Sequence, residues 1–270
     1  MSDNQNICLI RQPAGIGDII FTHKIAKLIL KKGDYNKIIW PVIKEYSYIN
    51  DYIGTEDIIF CDESLDFAFK DMYNSENIEM VAGEDDNGHK LLYIPLQHAD
   101  QCERALLPDY RAHGQMKYKY VGIASDNDTP WHNWRDFIEI RRNPEREAKL
   151  VSDLGVDLNQ KYNFVNRNYG SPPNWCSRDD IIPDNDLPCV FMMMSLSDYH
   201  IFDWLSIMDN ATNIYTMETS VCYLAHYLHK QNVNVYSKYT IDKISGLTNG
   251  YIDDFTYING NYSSEWTYHS

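Results

Sequence analysis

The sequence predicts an α/β protein with two small open sheets of mainly parallel strands. A short apolar run, Ile7 to Ile10, is followed by glycines and then by apolar residues at helical spacing between Ile19 and Lys32. The same alternation of strand and helix returns in a second region that opens at Tyr162. Because alternating units of this kind build parallel sheets flanked by helices, we expect two Rossmann-like domains that face each other across a cleft.

The first half carries further strand and helix signals. Strands are predicted at Lys37–Ile43, Asp57–Phe60 and Lys90–Pro95, a short helix at Glu45–Ile53, and a solvated turn at Gly83–Gly88. A helical segment from Trp131 to Leu154 ends at Gly155 and is expected to bridge the two halves.

The second half repeats this organisation. Strands are predicted at Tyr162–Val165, Asn213–Thr216 and Val233–Tyr236, an apolar run at Cys189–Met194, helices at Ile201–Met208 and Ser220–Lys230, and a polar loop from Asn166 to Pro173. We place the boundary between about Asp126 and Gln160, which gives domains of residues 1–140 and 141–270.

Composition limits the class of protein. With 270 residues, 44% of them hydrophobic, the chain can bury a substantial core. A net charge of -15 disfavours a nucleic-acid partner, because such binding depends on Lys and Arg that neutralise phosphates. The first residues lack a basic start with a long apolar run, and no stretch has the roughly 20 apolar residues of a membrane span. A cytoplasmic protein without an integral membrane span is expected.

The loop Gly15-Ile16-Gly17-Asp18 is the most informative local feature. Glycines let backbone approach a ligand closely, and the helix that follows offers unpaired N–H groups to an anion. The alternative is structural: the glycines make a tight turn and Asp18 caps a helix that begins at Ile19.

The stretch from Leu9 to Phe21 that contains this loop resembles the start of heptosyltransferase-type glycosyltransferases. In that family an apolar strand leads into Gly-x-Gly-Asp and a helix, and the Asp is the general base toward the acceptor hydroxyl. The resemblance therefore implies a GT-B-like fold of two Rossmann-like domains, with Asp18 as the catalytic base.

A later block, Ile201 to Ala225, resembles the nucleotide-sugar site of the same family. Glu218-Thr219-Ser220 stands at the turn, where the family usually has Asp-Thr-Gly, and Tyr223 stands where it usually has His. The resemblance implies that Glu218, Thr219 and Ser220 bind the donor. The alternative is an ordinary capping turn with Thr219 or Ser220 as the cap.

Further donor contacts are expected after the first strand of the second half. Such enzymes often place a phosphate-binding side chain there, which implies a donor role for Arg167 and for the nearby Tyr169, alongside Gly15 and Gly17. Arg167 in a surface ion pair is an equal alternative.

Two Asp-x-Asp triplets, Asp126-Asn-Asp128 and Asp184-Asn-Asp186, leave a second enzyme hypothesis open. A different class of glycosyltransferase holds a divalent metal with this pattern, so Asp126 and Asp128 could serve a metal-dependent transferase. A third hypothesis is a catalytically silent nucleotide-binding or structural protein that keeps the fold.

The expected activity is metal-independent sugar transfer from a nucleotide sugar to the hydroxyl of a sugar or glycan acceptor, as in glycan biosynthesis. Residues 1–140 would bind the acceptor and residues 141–270 the donor. Asp18 would take the acceptor proton, and Arg167 with helix-terminus amides would stabilise the departing diphosphate. No cofactor is required in this scheme.

Overall fold

The computed structural model describes residues 6–74, 76–96, 131–171, 174–193, 196, 198–236, 262–263 and 265–269. The chain divides into two compact units, Met1–Ile140 and Arg141–Ser270. Each unit contains a five-stranded sheet made mostly of parallel pairs. The prediction of an α/β protein with parallel sheets is therefore confirmed.

The sheet of the first unit has the order β3-β2-β1-β5-β4. Its strands are β1 (Ile7–Ile10), β2 (Lys37–Val42), β3 (Ile58–Asp62), β4 (Val81–Glu84) and β5 (Lys90–Ile94). All neighbours are parallel except β4 and β5, which form an antiparallel hairpin. Strand β4 was not predicted: its four residues are all exposed, so it lacks the apolar alternation that identifies a half-buried strand.

The glycine loop leads into helix α1 (Ile16–Lys32), which starts three residues before the predicted Ile19 and ends at Gly33. The predicted helix from Glu45 to Ile53 is instead a 3-10 turn, Lys44–Tyr46, followed by α2 (Ile49–Ile53). Further 3-10 turns lie at Lys70–Met72 and Trp131–Phe137.

The core of the first unit covers both faces of its sheet. Cys8 and Ile10 of β1 are fully buried, as are Ile19 and Ile20 of α1. A separate cluster of buried residues comprises Ile7, Leu9, Ile39, Leu91 and Tyr93, and Phe67, Phe69, Met72 and Tyr73 pack against it. Successive residues of β1 thus alternate between two apolar layers, as the period of a strand requires.

The sheet of the second unit is parallel throughout, in the order β12-β11-β10-β6-β9. The strands of this unit are β6 (Asn163–Asn166), β7 (Asn168–Ser171), β8 (Asn174–Ser177), β9 (Cys189–Phe191), β10 (Asn213–Met217), β11 (Val233–Tyr236) and β12 (Thr267–His269). Strands β7 and β8 form a separate antiparallel hairpin. The predicted loop from Asn166 to Pro173 was therefore wrong, because short polar strands give no apolar period.

Three α-helices belong to the described part of this unit: α3 (Pro144–Leu154), α4 (Leu205–Asn210) and α5 (Ser220–Tyr227). The 3-10 turn Ile201–Trp204 leads directly into α4. The predicted helix from Trp131 to Leu154 is interrupted, because the Asn143 side chain caps a new helix whose first residue is Pro144. None of the described helices has the length and apolar character needed to cross a membrane.

Ion pairs with buried carboxylates connect α3 to neighbouring elements. Arg146 pairs with the fully buried Asp203 at 2.7 Å, and the same carboxylate accepts a hydrogen bond from the backbone N–H of His200. Arg142 donates from Nε to Glu147 at 3.0 Å and also contacts α4. Such pairs cost much to break, because removal of one partner leaves a buried charge.

Candidate functional site

In each unit the order of the strands creates a topological switch point. In the first unit β2 and β3 lie on one side of β1 and β5 on the other, and the backbone N–H of Arg11 donates to Ile94 at 2.8 Å across this point. In the second unit β9 lies on one side of β6, while β10 lies on the other. Ligands of open α/β sheets bind outside the carboxyl ends of strands at such positions.

The glycine loop follows the carboxyl end of β1. Gly15 adopts φ +83°, a left-handed conformation that favours glycine, and its carbonyl accepts the first hydrogen bond of α1 from Ile19 at 3.1 Å. A β-carbon on Gly15 would lie 2.5 Å from Oδ2 of Asp18. Glycine at this position therefore lets the Asp18 carboxylate fold back over the first turn, which also contains Gly17.

Asp18 is the third residue of α1 and is half-buried. Nε2 of Gln12 lies 3.4 Å from its Oδ2, and the Thr22 hydroxyl donates to its backbone carbonyl at 2.6 Å. A carboxylate is favoured here by the positive end of the helix dipole. The alternative of Asp18 as the N-cap of a helix from Ile19 was wrong, since the helix begins at Ile16 and Gly15 is its N-cap.

A polar cluster occupies the switch point of the second unit. The Asn166 amide donates to the hydroxyls of Thr216 at 3.0 Å and Thr219 at 3.2 Å, which joins the ends of β6 and β10 to the start of α5. Thr219 is the N-cap of α5 and accepts from the N–H of Val221 at 3.3 Å. Sequence reasoning did not single out Asn166, although a polar residue directly after an apolar strand was an available signal.

The other residues of the predicted donor turn surround this cluster. The backbone N–H of Glu218 donates to Tyr236 at 3.0 Å, and Ser220 is the first residue of α5. Tyr223, which stands at the expected His position, is buried with its ring 4.8 Å from that of Tyr262. Burial, with smaller contributions from neighbours that include Glu218, raises the pKa of Tyr262.

Arg167 directly precedes the β7–β8 hairpin, and Tyr169 belongs to its first strand. Nε and Nη2 of Arg167 both donate to the Ile181 carbonyl, at 3.1 and 2.8 Å, and the guanidinium lies 4.6 Å from the centre of the Phe191 ring. Tyr169 packs against the buried cluster that contains Ile181. In this conformation the Arg167 side chain contacts Ile181 and Phe191, and two of its nitrogen atoms donate to a backbone carbonyl.

The predicted site residues therefore form two sets. Gly15, Gly17 and Asp18 belong to the first unit; Arg167, Tyr169, Glu218, Thr219 and Ser220 belong to the second.

The predicted metal-binding triplets have different outcomes. In the described part of the chain no group of three or more His, Cys, Asp or Glu side chains is arranged to hold a metal ion. Asp184 accepts a hydrogen bond from the Tyr215 hydroxyl at 2.7 Å. Asp126 and Asp128 lie outside the described residues.

No protein-family profile and no curated protein sequence matches this chain. Solved structures do match it. The iron-containing dodecameric glycosyltransferase TibC from enterotoxigenic E. coli H10407 aligns with a TM-score of 0.50 at 10% identity, over 99% of this chain and 63% of TibC. The chain therefore spans less than two thirds of the length of TibC.

Two other solved structures align less well. A complex of the heptosyltransferase TibC with ADP-D-beta-D-heptose aligns at a TM-score of 0.47 and 10% identity, over 99% of this chain and 63% of that one. A glycosyl transferase of family 9 from Veillonella parvula DSM 2008 aligns at 0.41 and 9% identity, over 88% of this chain and 81% of that one. At these identities the TibC alignment at 0.50 shows a common fold.

Proposed function

We propose that this chain is a glycosyltransferase of the heptosyltransferase-like type that moves a sugar from a nucleotide sugar to an acceptor hydroxyl. The observation that carries the proposal is the Asp18 carboxylate, folded over Gly15 at the carboxyl end of β1, in a fold shared with a glycosyltransferase. The GT-B-like arrangement, the acceptor role of residues 1–140, the donor role of residues 141–270 and the cytoplasmic location belong to this proposal.

Asp18 acts as the general base. Its carboxylate takes the proton of the acceptor hydroxyl while that oxygen forms a bond to the anomeric carbon of the donor. The bond from the anomeric carbon to the diphosphate breaks, and its electron pair leaves with the nucleoside diphosphate. General-base catalysis of this kind typically contributes about 10²–10⁴-fold to the rate.

The donor binds at the switch point of the second unit. The N-terminus of α5 faces its phosphates, with the hydroxyls of Thr219 and Ser220 as additional partners. The Glu218 carboxylate accepts hydrogen bonds from donor hydroxyls. Arg167 gives up its hydrogen bond to the Ile181 carbonyl and donates instead to a phosphate oxygen, which stabilises the leaving diphosphate. Tyr169 lies beside Arg167. Gly15 and Gly17 allow close approach of the donor to the first unit.

The test is a panel of ADP-, UDP-, GDP- and CMP-sugars, with ADP-heptose included, scored by nucleotide release and by thermal stabilisation. A ligand that binds the native state must raise the melting temperature. Asp18→Asn should lower turnover about 100-fold or more while donor stabilisation is retained. Asp57→Asn, at an exposed carboxylate of the same unit, is the matched control and should keep full activity.

Three outcomes would count against the proposal. Undiminished turnover of Asp18→Asn removes the general base. Loss of activity in excess chelator favours the metal-dependent alternative that uses Asp126 and Asp128. Absence of both turnover and stabilisation with every nucleotide sugar favours the catalytically silent alternative.

A further inference from the structure

Arg11 is a buried cation, and two of its three side-chain nitrogen atoms have no hydrogen-bond partner among the described residues. The residue is 8% exposed, and its Nε and Nη1 are buried without a hydrogen bond to any described residue. These two atoms carry three N–H groups, and an arginine side chain cannot escape the cost of burial by losing its proton. A charge buried without a partner is strongly unfavourable, so Arg11 requires a group that compensates for its burial.

The groups around Arg11 are committed to other partners. Its guanidinium lies 5.6 Å from the centre of the Tyr73 ring, and the Tyr73 hydroxyl donates to Glu63 at 2.8 Å. The hydroxyl of Tyr93 donates to the backbone carbonyls of Asn74 and Asn77, each at 3.2 Å. Both phenol hydroxyls donate to other groups, and neither accepts a hydrogen bond from Nε or Nη1 of Arg11.

Three other described arginines pair with carboxylates. Arg146 pairs with Asp203, Arg142 with Glu147, and Arg178 with Asp180 at 2.7 Å. Acidic residues outnumber Lys and Arg by 39 to 24, so carboxylates are abundant. Although carboxylates are abundant, Arg11 pairs with none among the described residues. This arrangement is typical of an arginine that binds an external anion.

The position of Arg11 fits a ligand site. It directly follows β1, and its backbone N–H joins β1 to β5 at the switch point of the first sheet. Its neighbour Gln12 contacts Asp18, whereas Arg11 lies over Tyr73. Arg11 and Gln12 therefore contact different groups at the carboxyl end of β1.

We infer that Arg11 binds an oxyanion, a carboxylate or a phosphoryl group, at the switch point of the first unit. The oxygen atoms of such a group accept hydrogen bonds from the N–H groups of Nε and Nη1, and the Tyr73 ring covers the guanidinium. This site is additional to the base and donor residues of the proposed function, and it does not depend on sugar transfer.

The experiment measures anion binding without any nucleotide sugar. Wild-type protein is titrated with inorganic phosphate, glucuronate and glucose at constant ionic strength, and melting temperature and calorimetry are recorded. We expect a saturable rise of about 5 °C at a hundredfold excess over Kd for one or both anions, and none for neutral glucose. Response to phosphate alone identifies a phosphoryl ligand, and response to glucuronate alone a carboxylate.

Arg11→Met removes the charge at similar volume. We expect it to abolish the response, since loss of one partner of a buried charge pair weakens binding about 30-fold or more. Without anion, this variant should melt at or above the wild-type temperature, because an unpartnered buried charge has gone. Arg178→Met is the matched control: it breaks the ion pair with Asp180 and should keep the anion response.

Arg11→Lys keeps the charge with fewer directed donors, and it should bind the anion more weakly than wild type. This variant replaces Arg11→Met as the decisive one if the latter does not fold. A wild-type protein that responds to neither anion overturns the inference, and so does an unchanged anion response in Arg11→Met or Arg11→Lys.

Discussion

Oδ2 of Asp18 lies 2.5 Å from the position that a β-carbon on Gly15 would occupy, which is too close for both atoms to remain in place. Gly15→Ala should therefore displace the carboxylate in addition to straining a backbone at φ +83°. Left-handed backbone costs a non-glycine residue roughly 1–2 kcal/mol. We expect a fall in melting temperature together with a loss of transfer as large as that of Asp18→Asn.

Gly33→Ala is the control for Gly15→Ala. Gly33 has φ +81°, but nothing lies within 4 Å of the β-carbon position. This variant should lose similar stability and keep its turnover. Equal turnover of the two alanine variants would show that the contact between Gly15 and Asp18 has no role in catalysis.

Thr219→Val should destabilise the second unit. It removes the N-cap of α5 and one of the two hydroxyls that the Asn166 amide contacts. Loss of a cap typically costs about 1 kcal/mol, and Thr219→Ser should restore most of it. Urea unfolding measures both variants; a valine variant as stable as the serine variant would refute this role.

Glu218→Ala should weaken donor binding more than folding. The residue is half-buried on the turn after β10, and its backbone N–H, which the substitution retains, holds the contact with Tyr236. Hydrogen bonds to charged groups contribute about 1.5–3 kcal/mol, so affinity should fall about tenfold or more. Calorimetry with the active nucleotide sugar measures this, and unchanged affinity would remove Glu218 from the site.

His23 should make the stability of the first unit depend on pH. Burial, and then the charge of Lys27, lower its pKa from 6.5 to about 4, although its ring nitrogens lie 3.3 and 3.2 Å from the Phe137 and Ile53 carbonyls. Between these pH values the unfolded chain binds a proton that the folded chain does not. Stability therefore falls as pH decreases from 6.5 to 4, by about 3 kcal/mol in total.

His23→Gln removes this titration while it keeps a polar side chain. Urea unfolding at pH 7 and pH 5 should show a loss of stability about 2 kcal/mol larger in wild type than in this variant. Equal losses in the two proteins would mean that another group causes the pH dependence.

The sequence was most informative where a strong apolar period meets a glycine. That pattern predicts strand β1, the loop at Gly15 and helix α1. The turn at Glu218–Ser220 allowed either a donor-binding or a capping role, and Thr219 is the N-cap of α5. Strand β4 and the β7–β8 hairpin were missed, because their stability comes from cross-strand pairing that leaves no apolar period.

Arg11 shows a different limit of sequence reasoning. An arginine after an apolar strand is unremarkable in the sequence, and its significance comes from two buried nitrogen atoms that bond to no residue in the described part of the chain. Asn166 similarly acquires its role only when the strand order brings β6 and β10 together. Both properties depend on distant segments, so local patterns cannot predict them.

The fully buried thiol of Cys8 in β1 has a practical consequence for measuring unfolding. Burial raises its pKa far above the ordinary value, so a thiol-alkylating reagent cannot react until the strand opens. Cys222 in α5 is equally buried, and it belongs to the other unit. Pulsed alkylation in rising urea, read peptide by peptide, would therefore report the opening of each unit separately in the unmodified protein.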